Sequence, residues 1–300
     1  MDIKILLKDD TLKKLKDEKF IAIWNNLAQK SHNFTVIQEY NFVISWYESY
    51  LEQYKPLMII GLDEQESIVG IIPLAISYET GKLSHAGEYQ AEYTGWICSP
   101  EYEKDFLVES LLLIKRELGI GIWEWGWLPQ HANTSWFNSK RLKQQGVYIE
   151  FITCKTPVYV LDSETRINKI KKNKSTKSKI NRLNREGDLK IERIIDKESA
   201  EKLFDRIIIQ YNFRQLSLFD RMPFSVDPYK ENWHLKHMNR SDGVHFTVLW
   251  QGNKLLACNF GYCSEDTVTI GLFTYDPVSG VNSPGNIFLL EKHRCFVFLP

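Results

Sequence analysis

The sequence has no surplus of charge: 38 lysines and arginines face 38 aspartates and glutamates over 300 residues. Without a net field, nothing draws the whole chain to nucleic acid or to an anionic membrane, and any such preference must sit in a local patch. Ordered cysteine spacing is also missing. Cys98, Cys154, Cys258, Cys263 and Cys295 are odd in number and too isolated from other ligands to suggest zinc, so reduced thiols in a cytoplasm and no metal are expected. Long apolar runs are scarce: the longest, such as Leu111 to Ile114, fall far short of a membrane span. Met1-Asp2-Ile3-Lys4 does not lead from a basic region into an apolar one, so neither export nor a transmembrane helix is expected. The length suits one large domain or two of about 150 residues, enough to bury roughly 70–75% of the unfolded surface.

What is present alternates between helical and strand periods. Thr11 to Lys30 spaces Leu12, Leu15, Phe20, Ile23, Trp24 and Leu27 by three and four residues, which predicts an amphipathic helix. A second helix is predicted from about Ile37 to Gln53, and its stripe of Phe42, Val43, Trp46, Tyr47 and Tyr50 reads as core packing. Pro56 to Leu62, a turn at Asp63 to Glu66, and Ser67 to Ile76 form a β-hairpin pattern. Strands follow at Lys82 to Ala86 and Ala91 to Cys98, then a helix from Tyr102 to Leu118 ending near Gly119. Ile120 to Trp127 alternates as a strand does, a helix is expected around Thr134 to Gln145, and strands at Val147 to Ile152 and Thr156 to Leu161. That order predicts a mixed α/β domain around one sheet.

Composition changes at Asp162. Between Arg166 and Arg185 there are nine lysines and arginines and no acid, among them Lys177 and Arg182. Ile167, Ile170, Ile180 and Leu183 do not fall on one narrow stripe, so two short helices with a break near Asn173 to Ser175 fit better than one. The basic segment reads as a solvated linker, as a site for an anionic small molecule or polymer, or as a nucleic-acid contact. The last lacks interleaved aromatics for stacking. A strand at Leu189 to Ile195, a helix at Lys197 to Arg214, a loop at Gln215 to Pro228, a helix around Tyr229 to Met238 and a hairpin of His245 to Trp250 with Lys254 to Tyr262 complete the pattern. The order of the first half recurs, which suggests duplication. His234 and His237 lie three apart on a predicted helix with no Cys or acidic ligand nearby, and read as non-metal residues.

Thr267 to Tyr275 has the composition of a half-buried strand, ended by Asp276-Pro277. Asn282-Ser283-Pro284-Gly285 then offers a cap, a proline suited to a first helical turn and a glycine, ahead of Ile287 to Leu290. Such a strand, loop and helix start either connects ordinarily or leaves backbone N–H groups open to an anion, most naturally a phosphate.

Five stretches carry a family resemblance: Lys177 to Gly187, a basic helix ending in glycine; Val248 to Phe260, a glycine-turn hairpin; Phe273-Thr-Tyr-Asp276; Ser283 to Leu290; and Ile68 to Leu74 in the first half. With them the chain resembles the CelD/BcsL-type acyltransferases of the GNAT superfamily of acyl-CoA N-acyltransferases, which are also related to the Fem-type peptidyl transferases. The resemblance implies two tandem GNAT-like domains, 1–161 and 162–300. Acetyl-CoA or another acyl-CoA would set its pyrophosphate on Ser283, Pro284, Gly285 and Asn286. Asp276 is the candidate base with Tyr275 as neighbour, though an Asp before Pro277 also suits a plain turn. Lys177, Arg182, Arg214 and Arg221 are candidates to hold an anionic acceptor, with ordinary surface arginine as the alternative for the last two. The expected acceptor is a small-molecule amine: an amino sugar, a sugar nucleotide or a related cell-envelope or polysaccharide precursor. A charged tRNA replaces the acyl-CoA in a Fem-like alternative, and an inactive binding or scaffold protein is the other. Cys295 to Pro300 stands where a GNAT domain continues into further strands and a helix bearing a tyrosine, so the second domain is expected to be incomplete.

Overall fold

The computed structural model describes residues 1–153, 164–194, 196–241, 243–263 and 268–296, with backbone alone at 164–167 and 292–296. Two compact units divide the chain, Met1–Thr153 and Cys154–Pro300. The boundary expected after Leu161 and the strand expected at Thr156 to Leu161 lie outside the described residues. Each unit is mixed α/β around one antiparallel sheet. Among the described residues no helix is long and apolar enough to cross a membrane.

The first unit runs β1 (Asp2–Leu7), α1 (Lys8–Lys14), α2 (Glu18–Lys30), α3 (Tyr40–Tyr50), β2 (Tyr54–Leu62), β3 (Ile68–Ser77), β4 (Leu83–His85), β5 (Ile97–Cys98), α4 (Glu103–Leu113) and α5 (Lys140–Gln144). Its sheet order is β1-β2-β3-β4, with β5 also on β3. β1 is too short for periodicity to announce it, yet Ile3, Ile5 and Leu7 alternate onto the core of Leu57, Ile59, Ile72 and Leu74. The single helix expected over Thr11 to Lys30 is two, because the Asp17 carboxylate accepts the Lys19 N–H and starts α2 afresh. The strand expected at Ile120 to Trp127 joins no ladder. One bridge to Tyr93 and a 2.8 Å bond from the Thr94 N–H to the Trp127 carbonyl hold it, while Trp123 and Trp125 pack on His85 and Trp96. Its alternation serves ring packing. Val147 to Ile152 is likewise outside any strand, Ala91 to Cys98 narrows to β5, and the helix expected over Thr134 to Gln145 is a 3-10 turn, Ser135–Asn138, followed by α5.

The second unit runs α6 (Glu164–Lys171), α7 (Lys174–Glu186), β6 (Leu189–Ile194), α8 (Lys197–Phe219), α9 (Pro223–Val226), α10 (Lys230–Arg240), β7 (Val244–Gln251), β8 (Lys254–Cys263), β9 (Val268–Tyr275) and α11 (Pro284–Phe296). The sheet order is β6-β7-β8-β9. The basic segment breaks where expected: Asn173 caps α7, its side chain accepting the Ser175 N–H at 2.9 Å. The loop expected at Gln215 to Pro228 is a correction, since α8 continues to Phe219, where Asp220 in the left-handed conformation ends it. Pro223 then opens α9 from its first turn, where a missing N–H costs nothing.

Against β7, β8 carries a bulge: Leu249 faces Ala257 and Trp250 faces Leu255, leaving Leu256 as the extra residue. Leu256 and Ala257 therefore join one core, with Leu183 of α7 and Ile287 and Phe288 of α11. Phe204, Trp233, His234, Phe246 and Phe260 form another aromatic core between α8, α10 and the sheet. In each unit one strand, a run of helices, further strands (four in the first unit, three in the second) and a helix follow in that order, and the first strand lies beside the second in the sheet.

Candidate anion-binding site

The site is built on the bulge. The carbonyl of Leu256 accepts the Asp276 N–H at 2.8 Å, which brings the end of β9 onto the β7–β8 hairpin. Asp276 then caps the 3-10 turn Pro277–Asn282: its carboxylate accepts the Val278 N–H at 3.1 Å and the Ser279 hydroxyl at 2.6 Å. Lys254, at the start of β8, pairs with the same carboxylate at 2.5 Å and donates to the Ser279 hydroxyl at 3.2 Å. Burial raises the Asp276 pKa, but Lys254 and Ser279 outweigh it and hold the carboxyl below its ordinary value. A base working near neutral pH needs the opposite shift. These contacts make Asp276 the clamp of the turn, the plain-turn role that an Asp before Pro277 suits.

Beyond the turn, Ser283 sits at φ 52°, ψ 52°, an unusual conformation for a residue with a side chain. Its N–H donates to the Gly280 carbonyl at 2.9 Å, and its hydroxyl accepts the Lys179 ammonium at 2.8 Å across 104 residues. Pro284 has no N–H and the Ile287 N–H returns to Ser283 at 3.1 Å, so Gly285 and Asn286 keep the two first-turn N–H groups of α11 that lack an intrahelical acceptor. Asn286 is exposed, whereas Pro284 and Gly285 are buried. A Cβ on Gly285 would come within 2.9 Å of the Tyr275 ring and 3.1 Å of the Phe273 ring. The missing side chain lets α11 lie close on β9.

Arg214, from α8, lies over Tyr275 with its guanidinium carbon 4.7 Å from the ring centroid and reaches the Phe273 carbonyl at 3.5 Å. Among the described residues its buried Nε has no hydrogen-bond partner and no carboxylate pairs with it. Tyr275, Arg214 and the Gly285 turn are therefore contiguous. Arg221 is exposed past the end of α8, and among the described residues no bond joins it to the turn. Lys177 and Arg182 are exposed on α7, away from its core side. Lys179 and Lys254 were not singled out by sequence reasoning. Lys254 carried no signal, and Lys179 was one of nine like charges until its place beside Leu183 on the helix was known.

α6 and α7 are fastened to α11 at two points, Lys179 to Ser283 and Lys171 to Glu291 at 2.8 Å. His234, on α10, is packed among Phe204, Phe224, Trp233 and Phe260. Burial, with Lys230 and His237 adding to it, holds its pKa well below the usual histidine range. Among the described residues no three His, Cys, Asp or Glu gather to hold a metal ion.

Residues 171–294 match the family model of an acetyltransferase (GNAT) domain. The matched stretch holds α7, the sheet, the turn and the start of α11. It supports the GNAT superfamily for this half of the chain and, in general terms, an N-acyltransferase with acyl-CoA as co-substrate. No curated protein matches the chain.

Proposed function

We propose that the second unit is a cytoplasmic acyl-CoA-dependent N-acyltransferase, most simply an acetyltransferase, acting on an amino sugar, a sugar nucleotide or a related cell-envelope precursor. The carrying observation is the joint between Lys179 and Ser283, which sets an ammonium beside a helix start with two open N–H groups. The residues present fit a diphosphate: two backbone donors, one fixed cation and the positive end of α11 converge there. The co-substrate supplies an acyl group activated as a thioester. Gly285, Asn286 and Lys179 hold its diphosphate, and Asp276 with Lys254 keeps the turn in shape.

Tyr275 walls the site beyond the turn, and Arg214, stacked on it with no carboxylate paired to it among the described residues, suits an acid group on the acceptor. Catalysis rests mainly on positioning a neutral amine against the acyl carbon, which contributes several kcal/mol, on the order of 7–11 when alignment is good. The shared order of elements in the two units supports a tandem GNAT-like arrangement.

Calorimetry on the full chain with acetyl-CoA, joined to a thiol-release assay over a panel of amino sugars, tests the proposal. Binding with thiol release is expected. No heat and an unchanged melting temperature at millimolar acetyl-CoA would remove the acyl-CoA reading, and binding without release would favour a scaffold.

A further inference from the structure

α8 is apolar on two opposite faces. At about 100° per residue, Ala200, Phe204, Ile207 and Tyr211 fall within a sector of about 60°. That sector is the packed one: Ala200, Phe204 and Ile207 are buried, Phe204 meets Phe260 and Tyr211 meets Phe224. On the other side of the helix, Ile209, Phe213 and Leu216 share a second sector of about 60°. They are 70%, 53% and 42% exposed. A spacing of four and three is that of a helix face meant for packing, yet this one meets solvent. Phe219, Met222 and Val226, all exposed, follow it past the end of α8 and through α9. From Ile209 to Phe219 the stripe is roughly 15 Å long.

Charge along the stripe says what covers it. Arg206 and Asp220 stand seven residues before and after Phe213, and both turn the same way from Ile209, by about 60° and about 20°. Both are exposed, and among the described residues neither forms an ion pair. Arg206 lies over Trp250, 5.5 Å from the ring centroid. Two antiparallel copies of α8, related by a two-fold axis at Phe213, bring each Arg206 level with the Asp220 of the other copy. The axis makes that contact twice, and each Ile209 then meets the turn around Leu216 opposite. A parallel pair would set Arg206 beside Arg206, and an anionic membrane would meet Glu198, Asp205 and Asp220 on the same side as the stripe. We propose that the chain forms a two-fold dimer through the outer face of α8, with Phe213 at its centre and Arg206 paired with Asp220 across it. Arg214, turned by about 140°, points to the other side of the helix. The dimer contact and the Tyr275 site therefore occupy different sides of α8.

Sedimentation equilibrium on the full chain, from about 1 to 100 μM, tests the dimer. The wild type is expected at twice the mass of the chain at the upper end of that range. Phe213→Lys should weaken association at least about thirtyfold, with an unchanged urea midpoint because Phe213 is exposed. Arg206→Glu and Asp220→Lys should each weaken it alone, since each sets like charges against one another at both contacts. Mixed in equal amounts, the two variants should regain wild-type association, because both contacts of the mixed pair then join opposite charges. If Phe213→Lys fails to fold, the mixed pair still decides. A wild type that is monomeric at about 100 μM would overturn the proposal, whether the stripe then binds lipid vesicles or nothing. So would a dimer that Phe213→Lys leaves intact, or a mixture no tighter than either variant alone.

Discussion

Gly285 works by what it lacks. The family resemblance places Gly285 among the residues that meet a pyrophosphate, and in the structure its missing side chain makes room for Tyr275 and Phe273, which a Cβ would meet at 2.9 and 3.1 Å. Gly285→Ala should therefore overpack the α11–β9 contact and lower stability by about 1–3 kcal/mol, read as a fall in the urea midpoint at constant slope. No change would mean that the rings move aside at no cost. For the same reason a charged residue at 285 would be a poor probe of phosphate binding, because loss of packing would precede any repulsion. Asp276 carries the complementary lesson. The Asp-Pro pair marked a turn, but only Lys254 and Ser279, brought in by the bulge at Leu256, turn its carboxylate into a paired clamp.

At the scale of elements, α7 was the most readable part of the second unit. Its start was legible because a cap is a local signal: Asn173 bonds the N–H two residues on. Asn173→Ala should cost about 1 kcal/mol of stability and weaken the first turn of α7, checked by denaturant unfolding and by faster amide exchange at Lys174 to Lys177. Strand-like alternation was a weaker guide. Ile120 to Trp127 has the right period, but a strand needs a partner's backbone, and here the indoles of Trp123 and Trp125 stack on His85 and Trp96 instead. β1 made the opposite case, six residues with little pattern of their own that β2 completes over its whole length. Prolines misled at Gln215 to Pro228, where Pro223 begins a helix and the preceding residues extend another.

Over the whole molecule, acid should act on both units through one buried histidine in each. Burial holds His85 at about 3, and His234 well below its ordinary 6.5. Both are neutral in the fold, and the unfolded chain takes up the protons near 6.5. Stability is therefore complete above that pH and falls as pH drops below it, for His85 until about 3. The slope is about 1.4 kcal/mol per pH unit, or roughly 2 kcal/mol at pH 5 for His85. His85→Phe should reduce by about that amount the stability lost between pH 7 and pH 5 in urea unfolding, and His234→Phe should reduce it in the same direction. An unchanged difference would mean that another group carries the acid response. Among the described residues Nε2 of His85 and both ring nitrogens of His234 are buried without hydrogen-bond partners, so neither exchange breaks such a bond at those atoms.

The sequence by itself determined the local events: the hairpins, the break before α7, the strand that runs into Asp276-Pro277, and a helix start able to meet an anion. Each depends on residues a few positions apart, whose caps, turns and periods act over one or two turns of chain. Tertiary structure alone decided which cations meet that helix start. Lys179 reaches Ser283 over 104 residues because Leu183, four positions on, is drawn into the core that also holds Ile287 and Phe288. Burial of that apolar face fixes the rotation of α7, and with it which lysines are spent on the fold and which face solvent.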